Sequence, residues 1–133
     1  MPHVERLGAP GASADDFETL LAPHTPAIAE SARALRLVLA AAFPDAVEQV
    51  DFGNKLIAFG RSMKMRGLLF AIIAHKTWVN LQLADGAELP DPDGVIEGTG
   101  KRIRHIKIRS VDAASSAPVV AAIRAQLAAR PEA

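Results

Sequence analysis

A chain of 133 residues, half of them apolar and 23% charged, has the size and balance of one globular domain and leaves no room for a second. The absence of cysteine excludes disulfides, thiolate nucleophiles, iron–sulfur clusters and cysteine zinc sites, and fits a cytoplasmic location. Fifteen acids balance fifteen bases, which argues against a globally basic nucleic-acid binder.

The elements follow in chain order. Residues 1–12, rich in Gly and Pro, read as a flexible segment ahead of a single domain over 13–130; they lack the apolar run of a secretory signal. Ser13 precedes Asp15, Asp16 and Glu18, acids that complement a helix dipole. With Phe17, Leu20 and Leu21 as its apolar side, a helix is predicted over 14–21. Thr25-Pro26 starts a second helix, over 26–43, in which Ile28, Ala32, Leu35, Leu39 and Ala42 recur at helical spacing. The period then becomes two. Val47 to Phe52 and Lys55 to Phe59 read as a hairpin turning at Gly53-Asn54.

Gly60 to Gly67 is a basic loop, and Leu68 to His75 a third strand, apolar on both faces as a central strand covered on each side would be. The apolar run Leu68 to Ala74 is too short to span a bilayer, so no membrane partner is expected. A doubly apolar strand also admits a homodimer, with one face covered by a second copy. In the fourth strand Val79, Leu81 and Leu83 oppose Trp78, Asn80 and Gln82. Asp85 to Gly100 is a loop with a helical turn near Gly94 to Glu97. A fifth strand covers 103–109, and Pro118 starts a C-terminal helix with Val119, Val120, Ile123 and Leu127 inward. The expected fold class is α+β, a two-layer sandwich. Its antiparallel sheet of about five strands carries the N- and C-terminal helices on one face. With five Phe, one Trp and no Tyr, the core must be aliphatic.

Charge is segregated along the chain. Residues 85–97 hold five acids and no base, whereas 101–109 hold five bases and no acid, so the two segments are complementary. Lys101, Arg102, Arg104, Lys107 and Arg109 follow Gly98 and Gly100. Glycines admit close approach of backbone amides to an anion, and a lysine beside them can hold a phosphate or carboxylate. The P-loop spacer and its Ser/Thr are missing. On a strand His105, Lys107 and Arg109 share a face; a solvated charged face that blocks edge pairing accounts for the same residues. Trp78 on the polar face of its strand suits a small pocket with Asn80 and His105, or cover for the sheet margin.

The segment Trp78 to Ser110 reads WVNLQLADGAELPDPDGVIEGTGKRIRHIKIRS. Its tryptophan strand, its turn of Gly86, Ala87, Leu89, Asp91 and Pro92, its Gly98, Gly100, Lys101 step and its strand Arg104 to Lys107 resemble the YdhG-like bacterial domain family, a large group mainly of unknown function. Pro44, Glu48, Phe52 and Gly53 fit that family's first hairpin, and the likeness covers about residues 15–129. It implies a frataxin-like fold and, through one member regarded as an iron chaperone, iron as an alternative cargo. Asp15, Asp16 and Glu18 are the carboxylates such a role would use.

Three functions compete at this level. The first is a non-enzymatic module for a small anionic ligand or a protein partner, with Gly98, Gly100, Lys101, Arg102, Arg104, His105, Lys107 and Trp78 as the binding residues and no cofactor. The second is iron handling. The third is an enzyme using His75 or His105, for which no nucleophile motif or metal-ligand spacing is found.

Overall fold

Capping decides where the longest helix begins. Thr25 is extended, its hydroxyl accepts the Ile28 amide, and Pro26 sits in the first turn, where its missing N–H costs nothing. This helix (α2, Pro26–Ala42) buries Ile28, Ala32, Leu35 and Leu39 and ends at Phe43, just before Pro44. A shorter helix (α1, Ala12–Leu21) precedes it and buries Phe17 and Leu21. The computed structural model describes residues 5–6, 12–62 and 67–131. The segment expected to be flexible, 1–12, falls outside this set except for Glu5, Arg6 and Ala12, as does part of the Gly60–Gly67 loop.

Among the described residues the sheet is antiparallel throughout. Five strands have five residues or more: β2 (Val47–Asp51), β3 (Leu56–Gly60), β4 (Leu68–Ala74), β5 (Val79–Leu83) and β7 (Arg104–Ile108). Two-residue strands, β1 (Glu5–Arg6) and β6 (Ile96–Glu97), extend its edges and give the order β1-β2-β3-β4-β5-β7-β6. A short helix (α3, Val111–Ala114), capped by the Ser110 hydroxyl, and a longer one (α4, Ala117–Ala129) complete the chain.

Register sorts the side chains by face. Val50, Ile57, Ile72, Leu81, Ile106 and Ile96 form one cross-strand row. This row lies toward α1, α2 and α4, in one core that includes Phe17, Leu35, Leu39 and Ile123. The adjacent row on the opposite face is Gln49, Ala58, Ala71, Gln82, His105 and Glu97, and no described helix covers it. The α+β class with helices on one face therefore holds, as does the inward turn of Val79, Leu81 and Leu83, each fully buried.

Several expectations need correction. The sheet exceeds five strands because β1 and β6 add to its two edges, β6 standing where a helical turn is expected; the helical turn lies earlier, at Gly86–Glu88. The first hairpin closes through four residues, Phe52 to Lys55, with Asp51 opposite Leu56. Its shape comes from the Asp51 carboxylate, which accepts the Asn54 amide at 3.1 Å and the Asn54 side chain at 2.8 Å. Lys55, not Gly53 or Asn54, takes the positive φ of 56°. β4 is central, yet among described residues only one of its faces is covered by helices. Ala71 is buried on the other because its methyl sits low between neighbouring strands. In α4 the buried stripe is Val119, Ala122, Ile123 and Gln126, with Val120 and Leu127 half-buried.

Among the described residues polar contacts join the layers at two places. Glu48, fully buried on the helix side of β2, accepts from Arg36 of α2, whose guanidinium also lies over the Phe17 ring at 5.3 Å. The second contact centres on Asp85, only 3% exposed at the end of β5. Its Oδ1 accepts from Arg102 and Arg130, each at 3.0 Å; its Oδ2 accepts from Gln126 Nε2 and Arg130 Nε at 2.7 Å. Gln126 returns the contact, its carbonyl accepting the Asp85 amide at 2.7 Å. Burial works against ionisation of Asp85, but hydrogen bonds from Arg130, Gln126 and Arg102 outweigh it and hold the carboxyl below its ordinary range. Arg61 fixes the same corner: its Nε donates to the Arg130 carbonyl at 3.1 Å, which satisfies the C-terminal end of α4.

Removing one partner of a buried charged cluster leaves the others uncompensated. Asp85→Ala is expected to lower the free energy of unfolding by about 3–5 kcal/mol, read from urea denaturation at pH 7. A loss below about 1 kcal/mol, the range of exposed pairs, would show that the cluster is not structural.

Candidate functional site

The residues singled out in the sequence do not converge on one point. β7 runs from Arg104 to Ile108, about 14 Å at ~3.4 Å per residue, and the basic block divides between its two ends.

At the Arg104 end lies the turn from Gly98 to Ile103. Gly98 has a φ of +121°, a conformation that disfavours any side chain, and a Cβ on Gly100 would stand 2.6 Å from the Ile103 carbonyl oxygen. The two glycines thus serve the tightness of the turn. Arg104 turns back on it, its Nε donating to the Gly100 carbonyl at 2.8 Å. Lys101 is exposed. Arg102 is the one member of the block tied to the interior, through Asp85, although its side chain remains 63% exposed. The expected pairing of the acidic and basic segments is real: Asp85 meets Arg102, and Glu97 meets Lys107 at 3.6 Å.

At the Ile108 end Trp78 organises a separate cluster on the face away from the helices. Lys107 lies over its ring at 4.8 Å from the centroid and Arg109 at 5.9 Å, while the His75 imidazole stacks on it at 5.0 Å. Trp78 Nε1 donates to Asn80 Oδ1 at 2.8 Å, and Asn80 Nδ2 lies 3.1 Å from His75 Nε2. An indole N–H only donates, so the amide oxygen of Asn80 must face it and the amide NH2 must face His75. The NH2 in turn only donates, so His75 Nε2 is the acceptor and the ring is neutral, with its proton on Nδ1. Burial, with the neighbouring charges of His105, His24 and Lys107, acts in the same direction and holds the imidazole below its ordinary pKa. His105 shares this face, opposite Gln82 on β5, between the two ends.

The acids of α1 stand apart from both. Asp15 is exposed, Asp16 half-buried, and the Glu18 carboxylate is gripped by Arg33, with Nε at 2.9 Å and Nη2 at 2.6 Å. Among the described residues no three His, Cys, Asp or Glu side chains gather into a group that could hold a metal ion. No helix there is long and apolar enough to cross a membrane.

The uncovered sheet face also carries what sequence reasoning missed. A groove of about 830 Å³ lies on it, floored by Leu56, Ala58 and Ala71, with Gln82 beside them. Gln49, Asp51 and Asn54 line one end, and Arg102, Ile103 and Arg130 the other. The hidden signal was alternation: Ala58 and Ala71 are small residues at outward positions of central strands, which leaves a hollow between longer side chains. Chemically the groove offers an apolar bed with two guanidinium side chains, Arg102 and Arg130, at one end, and no described nucleophile–base pair stands in it.

Because folding leaves His75 neutral and lowers its pKa, the unfolded chain binds the proton more tightly. Stability is therefore complete above the unfolded value of 6.5 and falls as the pH drops through it toward the lower folded value. The melting temperature is expected to fall between pH 7.5 and 5.5, and by less in His75→Gln. Ring nitrogen shifts in NMR should report the Nδ1–H tautomer at pH 7; an Nε2–H tautomer would refute the assignment. Comparison with protein-family models, with curated proteins and with solved structures gives no match.

Proposed function

We propose that this chain is a YdhG-like domain of frataxin-like architecture that acts as a non-enzymatic binding module, holding a small anionic ligand on the uncovered face of its sheet. The observation that carries the reading is Arg102 at the wall of the 830 Å³ groove. A guanidinium has five N–H donors, and among the described residues Arg102 commits one, to Asp85. Asp85 also fixes where that guanidinium stands, so the side chain is held in place before a ligand arrives, which lowers the cost of binding. A planar guanidinium suits carboxylate and phosphate oxygens, and its charge does not vary with pH.

The two alternatives find less to draw on. Iron handling would call on Glu18, whose carboxylate Arg33 already occupies. An enzyme based on His75 would have to free Nε2 from Asn80. The frataxin-like assignment is supported by α1, α2 and α4 lying on one side of an antiparallel sheet.

Thermal shift and calorimetry against acetate, citrate and inorganic phosphate test the proposal. Saturation at a hundredfold over Kd stabilises by about 2.7 kcal/mol, and at least one of these anions is expected to raise the melting temperature. Arg102→Gln should weaken that anion at least tenfold, since a charge-assisted hydrogen bond contributes about 1.5–3 kcal/mol, while Arg102→Lys keeps part of the effect. An unchanged Kd in Arg102→Gln, with cooperative urea unfolding retained, would place the anion elsewhere.

A further inference from the structure

The groove is asymmetric in a way that specifies more than charge. Its floor is apolar: Leu56 is half-buried, and the methyls of Ala58 and Ala71 lie flush with the sheet. Two large apolar side chains stand at its margins without being drawn into the core, Phe52 at 50% exposure on the β2–β3 loop and Ile103 at 53% beside Arg102. Phe52 and Ile103 are thus two of the most exposed large apolar residues among those described, and both border the same hollow. A site for a bare inorganic anion has no use for apolar margins, which cost solvation free energy while empty.

The groove's length follows from the strands beneath it. It reaches from β2 to the turn before β7, and the order β2-β3-β4-β5-β7 makes this four inter-strand spacings, about 19 Å at ~4.8 Å each. The Arg102 end presents N–H donors suited to one carboxylate. The Asp51 end presents a carboxylate already engaged with Asn54, which repels a second anion.

We infer that the groove takes a single-headed amphipathic anion, an aliphatic carboxylate whose head group meets Arg102 beside Ile103. Its chain crosses Ala71 and Ala58 toward Leu56 and Phe52. This rests on the anion-binding reading above and adds to it the body of the ligand. The single head group follows from the placing of the groove's described arginines, Arg102 and Arg130, together at one end and from the acid at the far end. The aliphatic body follows from a bed that runs across strands and offers a chain contact with methyl groups along its length.

The test is a length series on the full chain, with acetate, butanoate, hexanoate, octanoate and decanoate followed by calorimetry below the concentration at which micelles form. Burying a methylene contributes ~0.8 kcal/mol when complete and less in an open groove, so each added methylene should tighten binding by about two- to fourfold. Decanol should bind at least tenfold more weakly than decanoate, and Ile103→Ser should weaken decanoate more than acetate. If acetate or phosphate binds through Arg102 and chain length has no effect, this inference fails while the anion-binding reading stands. If no anion binds, both fail. If light scattering shows a dimer that decanoate neither binds nor dissociates, a second copy covers the face and the inference is overturned.

Discussion

One buried carboxylate sets the geometry of much of this molecule. Asp85 joins the end of β5 to the turn before β7 through Arg102, and to the last turns of α4 through Gln126 and Arg130. These segments lie 17, 41 and 45 residues from it along the chain. A carboxylate taken out of water is tolerated only when nearly every lone pair is matched, and here four donors converge on two oxygens. The requirement is geometric as well as energetic. Satisfying Asp85 fixes the position of a helix relative to a sheet and the path of a loop at the same time.

The uncovered face inherits its order from that corner. Arg102 is mostly exposed, and an exposed arginine would ordinarily sample many rotamers. Its bond to Asp85 confines it to the groove margin. At the other end of β7 the same face is ordered by aromatic and amide contacts: Trp78 stacks with His75, lies under Lys107, and donates to Asn80. One strand thus presents two differently built polar clusters about 14 Å apart, with His105 between them.

Much of this order could be read in the sequence, and the reasons differ by residue. Thr25-Pro26 and Phe43-Pro44 bounded α2 because capping and proline geometry are local. Val79, Leu81 and Leu83 identified the inward face of β5 because alternation survives any tertiary context. Gly53-Asn54 misled because the side chain of Asp51 outcompeted the usual two-residue turn. β6 escaped notice because two residues carry no periodicity; pairing with β7 makes Ile96 and Glu97 a strand. Gln126 and Asp85 could not be paired across 41 residues, since a glutamine in a helix and an aspartate in an acidic loop each look solvated. The basic block was visible as composition. Its division between two ends of a strand needed coordinates, because charge counts carry no direction.

The clamp at Asp85 also sets an order of events during synthesis. Strands β2 to β5 are sequential neighbours joined by short connections, so they pair as successive hairpins soon after each emerges. Gln126 and Arg130 follow every described strand in the chain, and until α4 docks the carboxylate of Asp85 lacks two of its three partner side chains. Every described strand of the sheet thus precedes in the chain the helix that locks its corner, and α4 acts as the latch.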